Sequence, residues 1–128
     1  MGRRLRDMFA HNPDYGMRDA KLVAIGRHFR LHDGLKVVLG RRRAENERLA
    51  ALGFDWPRLE LADVTGPLMV LRGAMRPQDK PALGRLLRRF APHAGNGRVT
   101  VRCAHGEREQ TWRVDRTASD EEIRRWEI

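Results

Sequence analysis

Leu35, Val37 and Leu39 alternate with Lys36 and Val38, the period-two pattern of a strand with one face buried. A second such strand is predicted upstream over 21–31, and Asp33-Gly34 between the two is a hairpin signal. In that upstream strand Val23, Ile25, Phe29 and Leu31 share one face. Arg27 joins them unless Gly26 bulges the chain, and His28 and Arg30 project from the opposite face. Residues 42–52 favour a helix, with Gly53 as its stop. Strands over 58–63 and 68–72 are separated by Gly66-Pro67. The unbroken run Leu68-Met69-Val70-Leu71 reads as a central strand covered on both faces.

Over 79–91, Leu83, Leu86, Leu87 and Phe90 form an apolar stripe, and Arg85, Arg88 and Arg89 form the wet side. His93 to Gly97 is expected to be a flexible joint. Val99, Val101 and Cys103 then alternate with arginines and a threonine, and Trp112 and Val114 mark a partner strand in a second hairpin. Ser119 and Glu122 form a capping box for a last helix with Ile123 and Trp126 inward. A short helix over 3–9 ends at Asn12-Pro13-Asp14. The order ββαββαββα predicts one α+β domain, a largely antiparallel sheet with helices packed on one side. Residues 1–20 form its N-terminal helix and loop, and 21–128 its core.

The 128 residues suffice for one core, and the net charge of +9 is unevenly placed. Residues 21–43 and 76–102 each carry +6, leaving the remainder about −3, so the molecule is expected to be polarised toward a polyanion. Nearly all the positive charge is arginine, suited to bidentate phosphate contacts and to stacking on bases. A single cysteine, Cys103, fits a reducing compartment, and a cytoplasmic location with no membrane span and no secretory signal is the expectation.

The sharpest chemistry lies where the strand ending at Leu39 meets the following helix. Gly40 can turn the chain, and Arg41, Arg42 and Arg43 then precede Asn46. On a helix Asn46 shares a face with Arg42 and Arg43, beside the backbone N–H groups of a helix start, where anions are favoured. This segment resembles a family signature. Lys36-Val-Val-Leu-Gly-Arg followed by Asn46 and Leu49 is similar to the V-G-R-N-x-x-x-N-x-x-L pattern of the NFACT-R domain, an RNA-binding module of ribosome-associated quality-control proteins.

Two flanking pieces extend the likeness. Leu22 to Leu31, centred on Gly26-Arg27-His28-Phe29-Arg30, looks like the strand before the signature in the variant fused to tRNA thiouridine synthase-like proteins. Ala62 to Arg72 resembles the Gly/Pro turn and apolar strand that follow it. The signature's first Asn is Arg42 here, which keeps a donor and loses an acceptor. Leu59 and Leu61 stand where the quality-control branch has an aromatic and a His, which points to the thiouridylase-associated branch.

The resemblance implies a non-catalytic module that binds RNA, with tRNA expected, for a PP-loop thiouridylase domain or protein. The RNA-contacting residues it suggests are Arg27, His28, Arg30, Gly40, Arg41, Arg42, Arg43, Asn46 and Arg72. Arg85, Arg88, Arg89, Arg98 and Arg102 are candidates for an extended phosphate track. No cofactor is expected and no metal. Cys103 is in phase with buried positions, and His11, His32 and His93 fall in separate predicted loops. No Walker loop or nucleophile elbow is present. Two alternatives remain: a small RNA- or nucleotide-processing enzyme using His28 with a carboxylate, and a basic protein-interaction domain.

Overall fold

The computed structural model describes residues 2–12, 14–92, 94 and 97–128. Two N-terminal helices, α1 (Gly2–His11) and α2 (Met17–Leu22), precede the hairpin of β1 (Arg27–His32) and β2 (Leu35–Leu39). Helix α3 (Arg43–Leu52) leads to β3 (Arg58–Leu61) and β4 (Met69–Gly73). A 3-10 turn at Pro77–Asp79 then opens α4 (Lys80–Arg89). The hairpin of β5 (Val99–His105) and β6 (Arg108–Val114) and the helix α5 (Asp120–Trp126) complete the chain. The six strands form one antiparallel sheet in the order β1-β2-β4-β3-β5-β6.

The α+β class and the ββαββαββα core are therefore present, but helices cover both sheet faces rather than one. Strand alternation puts Val37, Leu39, Met69 and Leu71 in one apolar cluster with Leu83, Leu86 and Leu87 of α4 and Trp126 of α5. Val38 and Val70 point the other way, onto Leu22 of α2 and Leu49 of α3. The unbroken apolar run at Leu68 to Leu71 records that two-sided burial, since a strand with helices above and below has no polar face to show. The second face is covered along β1, β2 and β4. Over β3, β5 and β6 it presents Arg58, Glu60, Thr100, Arg102, Glu109, Thr111 and Arg113 to solvent.

Other boundaries differ for local reasons. Lys21 to Ile25 belong to α2 and the turn after it, not to β1. The strand starts at Arg27 because Gly26 adopts φ +73°, where a Cβ would collide with the Leu39 carbonyl. His11 ends α1 and His32 ends β1, so neither is in a loop. The expected joint at His93–Gly97 and the break at Pro13 fall largely outside the described residues. The acidic segment at 120–122 is the first turn of α5, capped by the Ser119–Glu122 box as its spacing predicts.

Candidate nucleic-acid interface

The turn between β2 and α3 is built around one carboxylate. Glu45, 5% exposed, accepts from the Arg41 backbone N–H at 2.9 Å and from the Gly26 N–H at 3.2 Å. It also holds the Arg41 guanidinium through Nε at 3.0 Å and Nη2 at 2.8 Å. The hydrogen bonds from Arg41 outweigh the burial and bring the Glu45 carboxyl down to about 2. Arg41 is thus a clamp on the turn with its outer edge exposed.

Asn46 completes the turn from inside. Its Oδ1 accepts from the Leu68 N–H at 3.2 Å, while the Gly40 N–H donates to the Leu68 carbonyl at 3.0 Å. A side chain at Gly40 would collide with the Asn46 amide. Gly40 is therefore required by close approach and not by a left-handed turn, and Asn46 faces the sheet instead of sharing a surface with Arg42 and Arg43. The helix begins at Arg43, and Arg42 is its extended N-cap residue. Arg42 is exposed and has no ion-pair partner among the described residues. Arg43 meets Glu47 at 3.2 Å with both side chains in solvent, a contact of little energy that a phosphate can displace.

Three further arginines gather at the same end of the sheet. Arg27 is the cross-strand partner of Leu39 and lays its guanidinium over the Phe90 ring, 4.7 Å from the centroid. Arg4 of α1 donates to the Val23 carbonyl at 3.0 Å, and burial, then the nearby Arg41 charge, hold it below arginine's ordinary value. Arg3 reaches the Glu127 carbonyl at 3.2 Å. Arg3 and Arg4 had no counterpart among the residues singled out from sequence, because nothing local says that α1 folds back onto the β2–α3 turn. Among the described residues, the carboxylates set against the arginines of this corner, Arg3, Arg4, Arg27, Arg41, Arg42 and Arg43, are those of Glu45, Glu47 and Glu127. The arrangement can bind a polyanion through forked donors.

The remaining sequence candidates lie elsewhere. His28 is 1% exposed; its Nε2 donates to the Ile25 carbonyl at 2.8 Å, and burial, with the Lys36 and Arg4 charges, pushes it down to about 3. It has no exposed edge for a base and, among the described residues, no carboxylate partner, so the pairing of His28 with a carboxylate on which the enzyme alternative relied is not formed there. Arg30 is held by Asp7 and Arg72 by Asp19, both near the opposite end of the sheet.

The extended arginine track is not one surface. Arg85 pairs with Glu122 and Arg89 with Asp120, docking α5 on α4, and Arg88 is buried. Arg102 is on the other sheet face, paired with Glu60 at 2.9 Å. Cys103 is buried, as its phase predicts, and burial pushes its thiol up. Among the described residues no group of three His, Cys, Asp or Glu side chains could hold a metal ion, and no helix is long and apolar enough to cross a membrane.

Comparison with known proteins bears on this geometry in two ways. The family model of the NFACT protein RNA binding domain matches residues 26–127. The C-terminal part of the fibronectin/fibrinogen-binding protein from Streptococcus suis has the same fold, with a TM-score of 0.65 and 16% sequence identity. That match covers 81% of this chain and 49% of the other, so the chain spans about half the length of that structure. No curated protein matches in sequence.

Proposed function

The chain belongs to the NFACT protein RNA binding domain family, and on that footing we propose that it is a non-catalytic module that grips structured RNA at its arginine corner. The RNA is tRNA, and the module presents it to a PP-loop thiouridylase domain or protein in the cytoplasm. The observation that carries the RNA-binding part is the exposed and unpaired Arg42, flanked by Arg27, Arg41 and Arg43, inside the matched segment. The tRNA and thiouridylase parts rest on the resemblance of Gly26 to Arg30 and Ala62 to Arg72 to the thiouridylase-associated variant.

Such contacts would fix the register of the phosphate backbone and leave sequence to be read by other groups. Shape selects the RNA in this reading, since arginine contacts to phosphate tolerate any base. Equilibrium competition between total tRNA, duplex DNA of similar length and heparin tests it. Preference for tRNA at physiological salt supports the reading, and equal affinity for all three would reduce the site to unspecific charge.

A further inference from the structure

Arg30, Lys36 and Arg72 are direct cross-strand partners, Arg30 with Lys36 between β1 and β2 and Lys36 with Arg72 between β2 and β4. Direct partners project from the same face with Cβ atoms about 5 Å apart, so three cations stand in a row across three strands. Like charges so placed repel unless something answers them. The outer two are answered. Asp7 of α1 takes Arg30 at 2.6 and 3.0 Å, and Asp19 of α2 takes Arg72 at 2.7 and 3.4 Å.

Lys36, in the middle, is 5% exposed and makes no hydrogen bond or ion pair among the described residues. Asp7 and Asp19 act on it only through space. Both carboxylates are engaged further, Asp7 with His11 at 3.5 Å and Asp19 with the Gly16 N–H at 3.2 Å. Above the row lies a cavity of about 140 Å³ whose lining includes the three cations, Gly34 and Gly73, and also Asp19 and Asp33. At its rim the fully exposed Asp33 meets His11 at 3.4 Å.

We propose that this cavity is a phosphate subsite in which a single phosphoryl group sits on the Lys36 ammonium between the Arg30 and Arg72 guanidiniums. The buried, unanswered ammonium supplies the central contact. The Arg30 and Arg72 forks are turned to Asp7, the Asp33 carbonyl and Asp19, and add their charge and the N–H groups left over, among them those of Arg72 Nη1. The volume is well below the roughly 300 Å³ at which small-molecule sites begin, so a phosphate enters and a nucleoside does not. The phosphate is either an RNA terminus or the free ion. Only the first source rests on the RNA-binding reading.

Wild type and Lys36→Met are titrated with inorganic phosphate at constant ionic strength while amide resonances are followed by NMR. Saturable shifts at Gly34 and Gly73 are expected in wild type, weakened at least roughly tenfold in the variant, the scale of one charge-assisted contact. In a second arm, RNA oligonucleotides of one sequence with a 5′-phosphate or a 5′-hydroxyl are compared. A 5′-phosphate preference that Lys36→Met abolishes supports the site with RNA as the source. Phosphate binding without that preference supports it with the free ion as ligand, leaving the arginine corner to be judged on its own. If wild type shows no saturable shift at these glycines, or if the variant responds as wild type does, the proposal is overturned. The wild-type titration decides even if the variant does not fold.

Discussion

At Glu45 a single side chain fastens the turn after Gly26 to the turn after Gly40, taking two backbone N–H groups and one guanidinium. Because its folded-state value of about 2 lies below the ordinary 4.5, its contribution is fully present above about pH 4.5 and is lost as pH falls toward 2. Glu45→Gln is expected to cost about 2 kcal/mol at pH 7, the scale of buried hydrogen bonds to a charge. Urea unfolding at pH 7 and at pH 2.5 checks this. The gap between wild type and variant should narrow at the lower pH, and an unchanged gap would contradict the clamp. For the half-buried Asp7 and the buried Asp19, burial pushes the carboxyl up, but the hydrogen bonds from Arg30 and Arg72 outweigh it and hold both below their usual range, so they add to the same acid limb in both proteins.

Between elements, the Asn46 side chain ties the first turn of α3 to the entry of β4 through the Leu68 N–H. Asn46→Ala should therefore lower stability by about 1 kcal/mol with RNA affinity unchanged. Arg42→Ala should do the reverse, weakening RNA binding while stability stays within about 0.5 kcal/mol. Paired denaturation and binding measurements separate the two, and loss of RNA affinity in Asn46→Ala would return that amide to the interface.

Both hairpins, α3, α4 and the capped α5 were legible in the sequence because their signals are local: Asp33-Gly34, the leucine stripe of α4, the Ser119–Glu122 box. Leu22, Val23 and Ile25 misled because a short buried helix and turn can place apolar residues as a strand does. The roles of Asn46, His28 and Lys36 were not legible, since each depends on what α1, α2 or the 66–68 segment lays across the sheet. The same periodicity that puts Lys36 and Arg30 on a polar face cannot say that two helices roof that face.

Over the whole molecule the net charge of +9 is sorted by tertiary pairing rather than by position in the chain. Arginines of α4 are absorbed by the acidic first turn of α5, and the open half of the sheet mixes Arg58, Arg102 and Arg113 with Glu60 and Glu109. Part of the surplus stands at the corner where α1, β1 and the β2–α3 turn meet, six arginines against Glu45, Glu47 and Glu127, and the rest is spread over exposed cations such as Arg108, Arg116 and Arg124. A polyanion drawn to the whole chain should therefore be held at that corner. The most direct measurement is tRNA affinity as a function of salt for wild type, for Arg27→Ala/Arg42→Ala and for Arg102→Ala/Arg113→Ala on the open sheet. Wild type should show a steep slope of log affinity against log salt, and the corner variant a slope shallower by about one unit per arginine with weaker binding. The sheet variant should follow wild type; a slope unchanged in the corner variant but reduced in the sheet variant would contradict the assignment of the interface.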